Sequence, residues 1–182
     1  MVARKYAQDY EVITQNDERG REKTELAYRG DYYAVRFNKG NLSNYRKLTQ
    51  LVTFLTLVLH IGAGFINNAG MRQFYIALPY VTAFLPLFFL AAGTIAQPMG
   101  HQSYRRNQIA LSFNRIRKSS LALFFLFFLC ALGNTGFILF AGPSNNPRLE
   151  TLFIAFETCA AIAIGWLTIF QREINIQINS TK

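Results

Sequence analysis

Long apolar stretches divide this chain, and the charged residues fall almost entirely between them. Each stretch has about the 20 residues that an α-helix needs to cross a bilayer core of roughly 30 Å. The stretches lack the alternation of a membrane β-strand, and a helix satisfies its own backbone groups in lipid. We therefore predict an all-α membrane protein, a four-transmembrane-helix bundle over residues 47–171. The spans fall at about 48–66, 74–96, 120–141 and 149–170.

Positive charge is distributed unevenly among the connections between these stretches. Of the 19 Lys and Arg residues, only Arg72 and Arg148 lie in the first and third connections. The rest lie before the first stretch, in the connection 97–119 and in the tail 172–182. Because basic residues resist translocation, these parts are predicted to be cytoplasmic. We expect a multi-pass protein of the plasma (inner) membrane, with both termini cytoplasmic and no cleaved signal peptide.

Short strand-like runs flank the predicted membrane domain. In the N-terminal segment 1–46 they lie at 10–13, 24–28 and 32–37, and the first two are separated by turn-forming residues. In the tail, Ile alternates with Asn and Gln over 174–179. We expect these runs to form a small β-containing cytoplasmic cap in which the tail pairs with N-terminal strands. The alternative is that the last helix continues past the membrane and frays.

The connection 97–119 combines basic charge with apolar residues at helical spacing. Ile109, Phe113 and Ile116 recur at i, i+4 and i+7, as in a helix that lies in the headgroup layer. The basic residues of this predicted membrane-interface loop are Arg105, Arg106, Arg115, Arg117 and Lys118. We therefore expect the lipid bilayer as a partner, with anionic lipid at the cytoplasmic face. The net charge of +9 follows from this inside-positive bias, so no nucleic-acid partner is expected.

Polar side chains within the spans form a predicted layer near the outer face. Counted from the outer ends, His60, Tyr80, Asn134 and Glu157 all lie about six or seven residues deep, which is roughly 10 Å along a helix. Polar groups in a span normally face protein or water, because their exposure to lipid is costly. Two interpretations stay open. The layer is either a ligand-binding or proton-linked site that opens to the outside, or a hydrogen-bond cluster that fixes helix packing.

Helical spacing predicts that this polar layer faces the interior of the bundle. In the last span, Glu157 is followed at i+4 and i+8 by Ala161 and Gly165, a small-residue stripe typical of close helix packing. In the first span, one face carries Thr, His and Gly side chains at positions 49, 53, 56, 60 and 64. We expect both faces to point inward.

Common catalytic and cofactor motifs are absent from the chain. It has no GxxxxGK[ST], GxGxxG or HExxH sequence, and Cys130 and Cys159 are single residues within spans. His60 and His101 lie on opposite sides of the predicted topology, so we expect no metal site and no cofactor. We interpret the chain as a non-catalytic membrane subunit or scaffold that binds a protein partner. The alternatives are a small transporter, channel or ligand-binding protein that uses the polar layer, and a membrane-embedded enzyme. A homo-oligomer or a membrane-protein partner is compatible with each.

Overall fold

The computed structural model describes residues 4–16, 22–37, 42–97, 103–140 and 146–179. The helices are α1 (Leu42–Gly64), α2 (Phe74–Ile95), the short α3 (Arg106–Leu111), α4 (Phe113–Phe140) and α5 (Pro147–Phe170). The strands are β1 (Tyr10–Asn16), β2 (Glu22–Tyr28), β3 (Tyr32–Phe37), β4 (Tyr104–Arg105) and β5 (Ile174–Asn179). Short 3₁₀ segments lie at Arg4–Asp9, Gly70–Arg72 and Gln171–Glu173.

Four helices in the described part of the chain are long and apolar enough to cross a membrane, which confirms the number predicted from sequence. They are α1, α2, α4 together with α3, and α5. Two of them begin before their apolar stretch: α1 begins at Leu42 and α4 at Phe113. The additional turns carry polar and basic residues. They remain helical because one face of each still packs against the rest of the protein. Residue 141, the expected end of the third span, lies outside the described residues.

The bundle exposes large apolar side chains and buries polar ones. Phe54, Phe88 and Ile162 are 66%, 67% and 66% exposed, although each lies in the middle of its helix. Thr56 and Glu157, in contrast, have no exposed surface. A water-soluble domain of this size buries its large apolar residues first. The opposite distribution here is the one expected for a bundle surrounded by hydrocarbon.

The helices form a closed ring of neighbours. Helix α4 packs between α2 and α5, and α1 packs between α5 and α2. Apolar side chains from α2, α4 and α5 fill the centre of this ring, and Leu90, Leu123, Phe127 and Ile164 are completely buried there. This packing order determines which polar side chains can meet.

Two small antiparallel sheets lie at one end of the bundle. Strands β1 and β2 form a hairpin in which Val12 is paired with Leu26. Strand β3 lies between β4 and β5, and Val35 is paired with Ile176. The tail therefore pairs with an N-terminal strand, as the alternation predicted. The alternative of a continuous last helix is wrong, because α5 ends at Phe170 and the chain turns into β5.

The three-stranded sheet joins parts of the chain that lie far apart in sequence. Strand β3 precedes α1, β4 lies between α2 and α4, and β5 follows α5. These three segments consequently share one end of the bundle. We call the β1–β2 hairpin, the three-stranded sheet and α3 together the cap. Beneath the sheet, a buried cluster of Tyr45, Tyr104, Ile109 and Phe113 contacts Val35, Ile174 and Ile176.

The apolar face of the basic connection does not face lipid, which corrects the sequence-based expectation. Ile109, Phe113 and Ile116 are 6%, 7% and 0% exposed. The first two pack under the cap sheet, and Ile116 joins the central core of the bundle. Helical spacing identified the buried face correctly, but the protein itself covers that face, because the cap folds back over this segment.

Candidate functional site

The polar face of α1 points into the bundle from Thr49 to His60, as its spacing predicted, whereas Gly64 at the end of the helix is exposed. Thr49, Thr53, Thr56 and His60 are all buried. The Thr49 hydroxyl donates to the Tyr45 carbonyl oxygen at 2.9 Å, and the Thr53 and Thr94 hydroxyls share a hydrogen bond of 3.1 Å. This polar stripe of α1 begins at Thr49, near the cap end of the helix, and reaches His60 about 16 Å further along.

His60 and Glu157 form the centre of the candidate site. His60 Nδ1 lies 3.0 Å from Glu157 Oε1, and neither side chain has any exposed surface. Glu157 faces inward together with Ala161, one turn further along the same face of α5, and both are buried. The structure thus brings together the His60–Glu157 pair that the common depth suggested, between α1 and α5.

Aromatic rings enclose the imidazole of His60. Its centroid lies 4.3 Å from that of Tyr80, 4.7 Å from that of Phe84 and 5.0 Å from that of Phe127. The Tyr80 hydroxyl donates to the His60 carbonyl oxygen at 2.9 Å. Tyr80 therefore belongs to the site as a wall and as a backbone anchor. Neither side chain of the pair has any exposed surface, so the described residues enclose it completely.

Three buried polar atoms around this pair have no hydrogen-bond partner among the described residues: His60 Nε2, Glu157 Oε2 and Thr56 Oγ1. Unpartnered buried polar groups cost free energy, so a cluster of them in one place is unusual. Two arrangements leave the pair without net charge, namely imidazolium with carboxylate and imidazole with carboxylic acid. A low-dielectric interior favours either of these over a net charge. The site can therefore hold one shared proton.

Asn134 does not join His60 and Glu157, although its depth predicted that it would. Its Nδ2 donates to the Glu150 carbonyl oxygen at 3.2 Å, and its Oδ1 lies 3.5 Å from Asn68 Nδ2. Glu150 and Glu157 share a face of α5 but lie seven residues apart, or about 10 Å. Asn134 packs beside the first of them. The predicted four-residue layer is thus divided into a His60–Tyr80–Glu157 group and an Asn134 group.

Glu150 organises the second group, and the sequence analysis missed it. Its Oε1 accepts hydrogen bonds from the backbone N–H groups of Ala69 and Gly70 at 2.7 and 3.2 Å. Its Oε2 accepts from Asn68 Nδ2 at 3.0 Å. A carboxylate with this many donors fixes the connection between α1 and α2. The sequence did contain a signal for this role. Glu150 is an acidic residue in the first turn of its helix, and the connection between α1 and α2 offers Asn and Gly as donors.

The basic residues of the connection lie at the cap end. Arg105, Arg106, Arg117 and Lys118 are exposed, and Arg115 is half-buried. The Arg115 guanidinium carbon lies 5.7 Å from the ring centroid of Phe89, and that of Arg105 lies 5.4 Å from Tyr28. Exposure leaves Arg106, Arg117 and Lys118 accessible to charged groups outside the protein. His101, the second histidine, lies outside the described residues.

The remaining candidates for chemistry stay separate. Cys130 is buried and Cys159 is exposed, and both are free thiols. Across the residues that the structure describes, no group of three or more His, Cys, Asp or Glu side chains is placed to hold a metal ion. Comparison with protein-family models, with curated proteins and with solved structures gives no match to this chain.

Proposed function

We propose that this chain is a multi-pass protein of the plasma (inner) membrane whose cap lies in the cytoplasm. In this proposal it is a non-catalytic membrane subunit or scaffold that binds a protein partner through the cap. The basic residues of the cap end support this side of the membrane. The joining of three distant segments in one sheet supports a cap that acts as a unit.

The observation that carries the partner-binding proposal is an exposed apolar pair on the β1–β2 hairpin. Val12 and Leu26 face each other across the strands and are 61% and 58% exposed. A two-stranded hairpin is at best marginally stable alone, so an apolar pair on its open face is a candidate contact surface. A second copy of the chain is one candidate for the protein that covers it.

The base of the hairpin is firmly attached to the rest of the cap. The Tyr28 hydroxyl accepts a hydrogen bond from the Arg106 N–H at 3.1 Å, and Asn107 Nδ2 donates to the Tyr10 hydroxyl at 3.2 Å. The rings of Tyr10 and Tyr28 meet edge to face at 5.1 Å. The hairpin is therefore held at its base in a defined place, which suits a contact surface better than a loose tail.

The test compares two double variants of the full chain, purified in mild detergent with any associated protein. Val12→Thr with Leu26→Thr removes the apolar pair and keeps strand-forming residues. Thr14→Ser with Thr24→Ser changes the next exposed pair of the hairpin and serves as the control. We expect a stoichiometric partner, or a second copy, to be lost only from the first variant. Equal retention by both variants, with unchanged thermal stability, would contradict the proposal.

A second candidate function is favoured by the three unpartnered atoms at the His60–Glu157 pair. A buried carboxyl and imidazole that share one proton are the groups that proton relays use in membranes. The polar stripe from Thr49 to His60 leads toward the pair from the cap end. In this second proposal the chain is a small transporter or channel that moves protons.

Proteoliposomes distinguish this second candidate. With Glu157→Gln, a transmembrane pH gradient should persist several times longer than with the unaltered protein, because the shared proton site is lost. Thr158→Val is the control, since it changes the exposed residue next to Glu157 and leaves the buried pair in place. Gradients that decay at the same rate with both variants and with empty liposomes would leave the pair a structural contact.

A further inference from the structure

Three helices change from apolar to polar at one common level near the cap. In α1 the change falls at Lys47 and Leu48, in α4 between Lys118 and Leu121, and in α5 at Phe170 and Gln171. Trp166 stacks on Phe170 at 5.1 Å, and amphipathic aromatic residues are enriched where hydrocarbon meets headgroups. In a bilayer, this level of the bundle is therefore the headgroup layer.

A small polar notch opens at this level, between the beginning of α4 and the chain that leaves α5. It has a volume of about 30 Å³, and its polar lining comes from Tyr45, Asn114, Arg117 and Gln171. Phe113 and Ile174 form apolar walls. A space of this size admits one or two oxygen-sized groups, whereas a whole headgroup must remain outside.

Gln171 is the unusual member of this notch. Only 6% of its surface is exposed, and neither its amide nitrogen nor its amide oxygen has a hydrogen-bond partner in the described ranges. A buried amide without partners is destabilising unless something outside the chain supplies them. Arg117, on the same lining, is exposed and supplies a positive charge.

We propose that this notch binds a phosphate group, supplied by an anionic phospholipid of the surrounding leaflet. One phosphate oxygen enters the notch and accepts from the Gln171 amide, and the Arg117 guanidinium and the Asn114 amide bind the oxygens at the mouth. Arginine suits this role because its planar fork matches phosphate geometry. The site requires only that the bundle lies in a bilayer, so it is independent of partner binding by the hairpin.

The charged surroundings favour an anionic lipid over a neutral one. At this end of α1, α4 and the α5 turn, the basic side chains are Arg46, Lys47, Arg115, Lys118 and Arg172. Glu173 is the acidic side chain of the adjoining turn and already has a partner. The local excess of positive charge attracts an anionic headgroup, and the notch gives it a defined position.

The test measures how much lipid each full-length variant retains when it is transferred from mixed bilayers of phosphatidylglycerol and phosphatidylcholine into detergent. Native mass spectrometry counts the bound lipids of each kind. Arg117→Gln and Gln171→Met alter the notch, and Gln171→Glu is a nearly isosteric variant that repels phosphate. Lys118→Gln is the control, because it removes an equal charge one residue away without lining the notch.

We expect the unaltered protein to retain phosphatidylglycerol in preference to phosphatidylcholine. Each notch variant should lose about tenfold in this preference, as expected for the loss of one hydrogen bond to a charged group, while Lys118→Gln keeps it. An equal loss with Lys118→Gln and Arg117→Gln would overturn the proposal, because it would show diffuse attraction. Unchanged retention by both Gln171 variants would also overturn it.

A second arm separates the lipid from a free anion. Inorganic phosphate is added at millimolar concentration to protein in bilayers of phosphatidylcholine alone, and thermal unfolding is followed. We expect no phosphate-dependent stabilisation there, and a clear stabilisation by phosphatidylglycerol that Gln171→Glu removes. Stabilisation by inorganic phosphate without any effect of phosphatidylglycerol would refute the lipid as the source.

Discussion

Replacing Glu157 by Leu tests the energetic importance of the buried pair. The change leaves His60 Nδ1 without its partner at 3.0 Å, in a place with no exposed surface. A buried polar group left without its hydrogen-bond partner typically costs about 1–3 kcal/mol of stability. The surrounding rings of Tyr80, Phe84 and Phe127 leave the imidazole little room to find another partner. We therefore expect Glu157→Leu to fall within that range.

The double variant His60→Leu with Glu157→Leu separates the interaction energy of the pair from the contribution of each side chain alone. Replacing both members by apolar residues removes the unpaired group, so the double change should cost clearly less than the sum of the two single changes. Interhelical hydrogen bonds in membranes couple by about 0.6 kcal/mol on average and at most by about 1.7. Because this pair is wholly enclosed, we expect a coupling energy near the upper value, about 1.5 kcal/mol.

Unfolding in mixed micelles, followed by circular dichroism as denaturing detergent increases, provides the four free energies of the cycle. Thr56→Val is the control, because it removes a neighbouring buried hydroxyl that has no partner in the described part of the chain. That change should be neutral or slightly stabilising. Additive single changes, with a coupling energy near zero, would refute the reasoning that His60 and Glu157 act as a pair.

Three further predictions concern the Asn134 group and the cap. Gly70→Ala should destabilise the protein by more than about 1 kcal/mol in the same unfolding assay, because its Cβ would lie 1.8 Å from Asn134 Oδ1. Gly136→Ala, where a Cβ meets nothing within 4 Å, should be near neutral. Glu150→Gln should cost about 2 kcal/mol, since one acceptor oxygen becomes a donor that faces other donors; it should also speed proteolysis of the connection between α1 and α2. Ile176→Ala should cost about 1 kcal/mol of local stability and raise amide hydrogen exchange in β3 and β5 but not in α2.

Sequence patterns predicted those features that depend on one segment alone. The apolar stretches predicted four helices, and the alternation at 174–179 predicted β5. Helical spacing placed Thr56, His60 and Glu157 on inward faces. In each case the periodicity of a single element carries the information, because the side-chain direction follows from 3.6 or 2 residues per repeat.

Features that depend on contacts between elements could not be predicted from the pattern of one segment. Counting residues from the predicted span ends gave Asn134 the depth of the His60–Glu157 pair, but Asn134 meets Glu150, which lies about 10 Å nearer the beginning of α5. Neither the depth nor the neighbour of a side chain follows from the pattern of its own helix, because both depend on how the helices pack. Likewise, the apolar face at Ile109 was recognised, but the cap that covers it is assembled from both ends of the chain.

The proposed topology has four membrane crossings, and it places the cap in which β3 pairs with β5 on the cytoplasmic side. Single cysteines at the exposed positions Thr24, Asn67 and Gln177, in a chain with Cys130→Ala and Cys159→Ala, test it most directly. An impermeant maleimide should label position 67 in intact cells, and positions 24 and 177 only after the membrane is opened. Labelling of positions 24 and 177 from opposite sides, or of position 67 from the same side as either, would contradict the claim.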